Sequence, residues 1–470
     1  MDLEGRARQL YTTGVPKKQI IEELSNLSGS VEKANAILNE IINTENISDE
    51  FIQKISCFKT SGLTADQTGL GCRGEGDFFI HRKLAELFNN QNSIIDARDQ
   101  DDAGVVQVGK DYIIVSVDGM HSRLSHFPFI AGFHVARAAI RDTLVMGCEP
   151  KALFSDIHLA NDGDVAKIFD YSAGIAVVSE LSEIPLISGS TLRIGGDLVL
   201  GDRLTGCVGC VGYGEQLTPR RNVTVGDVLV MTEGAGGGTI ATTALYNGFS
   251  GIVTETLNLK NIFLGLKLLR SPLLKKVHAI TDITNGGLRG DAFEIAKSAN
   301  VQITINEREF RNLINPEVLR MLTKLGIDPL GVSIDSLLLI LPKNDADEVL
   351  RFINDNGLKA SIVGHVEAAK SMDAIEQHGD VLYGVKLIKP SKASTAHGPI
   401  KPRSEDAYTD LDEQIIKLEP KYREEPYTPI KKVVNVQPKD LEKIKTAISE
   451  AVEISKEKKE QLKNWITSRG

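Results

Sequence analysis

An excess of positive charge is the first thing this 470-residue sequence lacks. Its 63 acidic residues outnumber 54 Lys and Arg, a formal charge of −9, which argues against a protein whose main task is to coat nucleic acid. Cysteine is sparse and odd in number, at positions 57, 72, 148, 207 and 210, so a disulfide framework is not expected in a chain of this size. No apolar run approaches the ~18 residues a membrane span needs, and Met1-Asp2-Leu3-Glu4 is polar, without a signal core. Repeats at solenoid periods are missing. The nine histidines form no His-x-x-x-His pair or triad. These absences leave a cytoplasmic, reduced protein that works on neither nucleic acid nor membrane. Its 41% hydrophobic and 25% charged residues are ordinary for a globular fold, and its length suits roughly three domains.

The chain changes texture along its length. Residues 1–48 carry two apolar stripes at helical spacing, Ile20, Ile21, Leu24 and Leu27, then Val31, Ala34, Ile37, Leu38 and Ile41, with Ser30 as N-cap of the second. This is an appended packing or partner-binding element. Residues 49–215 turn to short strands, helices and many glycines. A buried strand over 112–117 leads into Asp118; a helix over 133–146 is closed by Gly147, with Pro150 beyond. Further strands are expected over 184–187 and 207–213. Residues 216–388 form a second α/β unit, opened by a strand over 227–232 and holding a strand-turn-helix over 277–299. In 389–470 charge density rises, with 15 Lys or Arg and 14 Asp or Glu in the last 70 residues. Prolines there suggest an extended wrap, followed by a solvated helix over 441–466.

Chemistry concentrates in a few places. In Thr281-Asp282-Ile283-Thr284-Asn285-Gly286-Gly287-Leu288 a strand ends in a carboxylate and a Gly-Gly turn opens a helix. Free backbone N–H groups beside a carboxylate suit a phosphate and its metal ion; an ordinary βα turn capped by Asn285 is the plain alternative. Asp101 and Asp102 enter one strand and Asp118 closes the next, which turn chemistry alone would also explain. Asp142 lies in the second half of its helix, where the dipole disfavours it, on a face with Val135 and Val145. A buried carboxylate there needs a partner, and since Arg137 and Arg141 are poorly spaced for it, a metal is the economical one. The run Gly234-Ala235-Gly236-Gly237-Gly238-Thr239 lacks the Lys-Ser/Thr of a P-loop and reads as close helix packing. Cys207 and Cys210 have ligand spacing but no second pair and read as packing residues. Cys72 sits in a glycine-rich stretch beside Arg73, which would favour a thiolate.

Taken in order, these motifs resemble the superfamily of aminoimidazole ribonucleotide synthetase, thiamine-monophosphate kinase, selenophosphate synthetase and the hydrogenase-maturation carbamoyl dehydratase, over roughly residues 75–370. The kinases' Asp-Asp-Ala-Ala strand is matched by Asp101-Asp102-Ala103-Gly104, and their Thr-Thr-Asp strand before His-Phe by Val117-Asp118 with His126-Phe127. Their Ser-Asp before Met-Gly-Ala-x-Pro is matched by Arg141-Asp142 before Met146-Gly147-Cys148-Glu149-Pro150, and the second-domain signature by Asp282 to Gly287. The resemblance implies an α/β, two-domain fold, with an N-terminal sheet domain that pairs with a second subunit and a C-terminal α/β domain. It implies ATP between them, held through Mg2+ on Asp101, Asp102, Asp118, Asp142 and Asp282. Nucleotide contacts would come from Asp118, Gly189, Thr191, Thr284, Asn285, Gly286 and Gly287.

Two departures follow. Where the family has Gly-Gly-Asp-Thr, this chain has Ser188-Gly189-Ser190-Thr191, so Asp197, with Asp202 as the alternative, would restore the metal ligand. The tail of the maturation enzyme and the Cys-Gly-Cys-Lys element of selenophosphate synthetases are absent, leaving Cys72 and Arg73 as candidate catalytic residues or part of a substrate lid. The expected function is ATP-dependent phosphotransfer, or related ATP cleavage, on a small substrate. The alternative is a nucleotide-binding accessory protein for metalloenzyme maturation, docking partners through its terminal extensions.

Overall fold

Three amphipathic helices, α1 (Leu3–Thr12), α2 (Lys17–Ser28) and α3 (Val31–Glu45), open the chain. The computed structural model describes residues 1–71, 75–88, 92–369, 381–382, 385–388, 442–450, 453 and 457. Ser30 caps α3, its hydroxyl accepting from the Lys33 N–H at 3.1 Å. The predicted stripes bury Ile20 and Leu24 against Ala34, Ile37, Leu38 and Ile41. The unit is fastened to the body of the protein by Leu198 and Leu200, which pack on its core, and by Lys33 paired with Asp197 at 3.2 Å.

Short helices α4 (Glu50–Ser56), α5 (Ala65–Thr68) and α6 (Glu75–Ala85) lead into the first sheet. Helical residues 442–450 return to α6: Ile444 is buried and Lys445 lies 6.0 Å from the Phe79 ring. That stretch of the expected solvated helix is therefore docked. The remainder of 389–470, like Cys72 and Arg73, lies outside the described residues.

The first sheet comprises β1 (Ser93–Ile95), β2 (Gly104–Val108), β3 (Asp111–Gly119), β4 (Glu149–Leu159), β5 (Leu186–Arg193) and β6 (Leu204–Gly214), in the order β1-β2-β3-β6-β4-β5. Only β4 and β5 run parallel, joined by the crossover helix α8 (Ala166–Ser182), while α7 (Pro128–Val145) links β3 to β4. Helix α7 starts five residues earlier than the apolar pattern suggests, because Pro128 supplies a preformed first turn. Strand alternation is clear on β3, with Ile114 and Ser116 buried while Val115 and Val117 are 44% and 64% exposed. One face of the sheet is covered by helices and the other is bare and apolar.

The second sheet holds β7 (Asp227–Thr232), β8 (Ala279–Asp282), β9 (Val301–Asn306), β10 (Leu337–Pro342), β11 (Ala360–Ala368), β12 (Val381–Leu382) and β13 (Val385–Ile388), ordered β12-β13-β9-β11-β7-β10-β8. Around it lie α9 (Gly238–Tyr246), α10 (Val253–Thr256), α11 (Lys260–Leu269), α12 (Gly287–Ala299), α13 (Glu307–Leu313), α14 (Pro316–Leu325) and α15 (Ala346–Asp355). Strand β7 is buried on both faces. Val228 and Val230 join a core that also contains Ala136, Ala139 and Leu144 of α7, whereas Leu229 and Met231 face a second core with α9 and α12. Helix α7 thus lies between the two sheets, and small residues let both approach it. The observed architecture is the expected two-unit α/β fold. Among the described residues no helix is long and apolar enough to cross a membrane.

Helices α7 and α8 cross with their backbones in contact. A Cβ on Gly132 would collide with the Tyr171 carbonyl, and one on Gly174 with the Phe129 carbonyl, so neither position has a flexible neighbour that can move aside. Gly132→Ala and Gly174→Ala should each destabilise the fold by about 2–3 kcal/mol in urea unfolding. Gly251→Ala, which meets open space, should stay within ~0.5 kcal/mol of wild type. Equal stability of all three variants would contradict the crossing.

Candidate active site

Both sheets deliver carboxylates to the flank of α7. Asp101 and Asp102 sit just before β2, Asp118 near the end of β3, Asp142 on α7 and Asp282 at the end of β8. Their mutual influence shows how closely they gather. The Asp142 carboxyl is pushed well above the usual range by burial, then by Asp282, Asp118 and Asp102. Burial pushes Asp118 up to about 6, with Asp282 and Asp335 adding to the shift and Arg141 opposing it. Asp102 is likewise raised, first by burial. The paired carboxylates predicted from strand ends therefore converge with the one predicted from a helix face.

Three buried arginines thread this acidic cluster: Arg137 and Arg141, poorly spaced in the sequence for Asp142, and Arg220, which the sequence does not single out. Arg220, only 1% exposed, donates through its backbone N–H to Asp101 Oδ2 at 3.1 Å. Its guanidinium pairs with Asp102, Asp291 and Glu294 and donates to Thr281 Oγ1 at 2.8 Å. Thr281 in turn donates to Asp102 Oδ2 at 2.8 Å, tying the first sheet to the second. Arg141 pairs with Asp282 through Nε and with Asp335 through Nη1 at 3.0 Å. Arg137, one turn earlier, also pairs with Asp335 and donates to the carbonyls of Thr256, Asn258 and Gly236 at 2.6, 2.9 and 2.9 Å. The expectation that arginine would be a poor partner on α7 holds for Asp142 alone; Arg141 reaches across to Asp282 instead. Asp335 was not anticipated. Its left-handed φ of 56°, a conformation Asp tolerates better than most residues, aims it between the two arginines. Burial opposes its charge, but Arg141 and Arg137 hold its carboxyl well below the usual range.

The Gly-Gly turn behaves as its pattern suggests. Gly286 and Gly287 have φ of 89° and 60°, and α12 begins at Gly287 with no side-chain cap. Asn285 does not cap; its Oδ1 accepts from Thr239 Oγ1 at 3.1 Å. No side chain caps the helix, which begins five residues after Asp282; the Gly287 N–H bonds to the Thr284 carbonyl at 2.8 Å. Beside the cluster is a cavity of about 320 Å³, floored by Arg137, Arg141 and Asp335 and walled by Gly234–Gly236, Asn258, Asn261 and Asn315. The glycine-rich run thus lines a cavity as well as packing a helix.

Other expected residues lie elsewhere. Asp197 is on an exposed 3-10 turn, its carboxyl held low by a hydrogen bond from Lys33 and by that residue's charge. It fastens the helical unit to the body instead of joining the cluster. Asp202 pairs with Lys167 at 2.7 Å. Gly189 and Thr191 belong to the edge strand β5, opposite Ser155 and Ile157 of β4, with β4 and β6 separating them from β3. The strand expected over 184–187 runs instead over Leu186–Arg193, because pairing with β4 continues through the Ser-Gly-Ser-Thr segment.

The cluster's donors are all hard oxygens, and Asp282 Oδ1 is buried without a hydrogen-bond partner, which fits a divalent cation such as Mg2+. Among the described residues no three of these groups surround a common point at ligand distance, since guanidinium groups stand between them. Like charges gathered in this way cost stability. The folded Asp118 carboxyl titrates at about 6 against an ordinary 3.8, so the folded protein holds a proton that the unfolded chain has lost, and stability falls as pH rises through that window. Without ligands, Asp118→Asn should exceed wild type in stability at pH 8 by on the order of 2 kcal/mol, with the difference vanishing near pH 4. Urea unfolding at the two pH values checks this; a variant less stable at pH 8 would refute it.

Comparison with known proteins identifies the family of the two units. Residues 100–213 match the model of the AIR synthase related protein N-terminal domain, and residues 224–376 match that of its C-terminal domain. An uncharacterized protein of Methanocaldococcus jannaschii is 44% identical over 450 residues, covering 92% of this chain and 91% of that one. A selenide, water dikinase of Pelobacter propionicus is 24% identical over 346 residues, 65% of this chain and 96% of its own. Among solved structures, AaThiL complexed with AMPPCP and TMP shares the fold, with a TM-score of 0.50 and 18% identity over 67% of this chain and 95% of that one. With both domain models matched in order across more than half of its length, the chain belongs to the AIR synthase related protein family.

Proposed function

We propose that this protein binds ATP as its Mg2+ complex and transfers a phosphoryl group to, or cleaves ATP against, a small polar substrate. The observation that carries the reading is the convergence of Asp102, Asp118, Asp142 and Asp282 from two sheets and α7, where burial and then the charge of Asp282 push the carboxyls of Asp102, Asp118 and Asp142 up. Such a cluster is relieved by divalent cations, and phosphate oxygens complete their coordination. Magnesium, when bound, would supply charge neutralisation of the phosphates. The uncapped N-terminus of α12 beside Asp282 offers backbone donors to the same anion. The cavity floored by Arg137 and Arg141 lies at the small end of ligand-site volumes and is the proposed seat of the acceptor. A selenide, water dikinase among the relatives and a structural neighbour bearing AMPPCP support the nucleotide.

The reading extends to a homodimer. The bare face of the first sheet presents Val106, Val108, Val115, Val117 and Tyr213, each more than 40% exposed, on the adjoining strands β2, β3 and β6. A contiguous apolar sheet face of this kind is suited to burial against its own copy. Multi-angle light scattering should give a dimer at micromolar concentration and Val117→Asp a monomer of unchanged helical content. A wild-type monomer would oppose the proposal.

Calorimetry with AMPPNP tests the site. Binding should be seen with Mg2+ and lost in EDTA, and Asp142→Asn and Asp282→Asn should each abolish it while melting cooperatively. Equal affinity in EDTA would refute the cation-bridged mode.

A further inference from the structure

Arg141 is the part of the site that nucleotide binding, as proposed above, leaves unexplained. It follows Asp118 and precedes Asp142 in the acidic flank, is 2% exposed, and spans from Asp282 to Asp335. Its position is fixed from outside. Asp335 is held by the Ser333 hydroxyl, which donates to Oδ1 at 2.7 Å, and by its own N–H bonded to the Ile283 carbonyl at 2.8 Å. Arg137 fixes Asp335 from the other side while its two terminal nitrogens also donate to the carbonyls of Thr256, Asn258 and Gly236. Of these two α7 arginines it is Arg141 that reaches Asp282. Burial works against its charge, but Asp282, Asp335 and Asp142 outweigh burial and keep it protonated. In return, its charge lowers the carboxyls of Asp118 and Asp142. A guanidinium does not give up its proton in a protein, so the charge is permanent.

We propose that Arg141 is a resident counter-ion that occupies one cation's place between Asp282 and the neighbouring aspartates, so that the site admits one divalent cation fewer than its carboxylates would otherwise hold. The proposal rests on the cation-bridged nucleotide reading and adds to it the number of ions. An Arg there neutralises the cluster before any ligand arrives and restricts the open coordination positions to the side of Asp118 and Asp142. It is a positioning residue: it touches the carboxylates that would hold the ion, and its effect appears as metal count and placement.

The test counts Mn2+ per bound AMPPNP on the full chain, by equilibrium dialysis with electron paramagnetic resonance of free and bound ion. Arg141→Ser removes charge and volume; Arg141→Gln removes charge but still donates a hydrogen bond to Asp282; Arg141→Lys keeps the charge. The Ser and Gln variants should each hold one more Mn2+ per nucleotide than wild type, and the Lys variant the wild-type number. Equal counts in wild type, Ser and Gln variants would overturn the counter-ion role while leaving nucleotide binding intact. Absence of any Mn2+-dependent AMPPNP binding by wild type would instead overturn the underlying reading and this proposal with it. Should circular dichroism show that both neutral variants are unfolded, the Lys variant decides: the wild-type count supports the role, and an extra ion refutes it.

Discussion

Buried like charge governs this structure. Asp102, Asp118, Asp142 and Asp282 are drawn together out of water; Asp282 raises the proton affinity of the other three, and Asp118 and Asp102 raise that of Asp142. Left alone, such a group would be driven apart, because isolated buried carboxylates lose several kcal/mol of hydration. Two features hold it. One is the trio of arginines, each anchored to more than one acidic group or carbonyl, so that no guanidinium is buried unpaired. The other is the apolar core that clamps α7 between the sheets, with Ala136, Ala139, Ile140 and Leu144 at or near zero exposure. The carboxylates stay close because the elements carrying them are fixed by packing that does not depend on charge.

Helix α7 is where those demands meet. It must approach both sheets and α8, which the small buried residues Ala131, Gly132, Ala136 and Ala139 permit, and it must carry Arg137, Arg141 and Asp142 at adjacent turns. Residues 137 and 141 are four apart and project from one face, which lets both reach Asp335. Asp142, one residue on, turns toward the strand ends. Its unfavourable place near the helix C-terminus is a cost borne by the scaffold.

Part of this was legible beforehand and part was not. Asp118 and Asp282 announce themselves because a run of apolar strand residues ends in a carboxylate, and Asp142 because a charge interrupts an apolar helix face. Such signals are local in sequence. Asp335 has no comparable signal: it sits in a short loop before β10, and its role comes from a left-handed backbone and from partners nearly 200 residues away. Arg220 was equally silent, since a basic residue after a proline in a linker usually meets solvent. Asp197 was misplaced by a sequence offset, and the strand read over 184–187 extends through the Ser-Gly-Ser-Thr segment because pairing with β4 continues there. In each case a tertiary contact overrode a local preference.

The cluster also joins the two halves of the molecule. Asp118 and Asp142 belong to the unit built on the first sheet and Asp282 to the second, while the Asp102–Thr281 hydrogen bond and the Arg141–Asp282 pair cross between them. The site therefore exists only when the sheets are docked on α7. A ligand that binds across those carboxylates favours the docked arrangement by its binding free energy, and the repulsion it relieves is repulsion that docking created. Repulsion at the aspartates and cohesion of the two sheet units are thus linked, both set by how much positive charge lies beside Asp142.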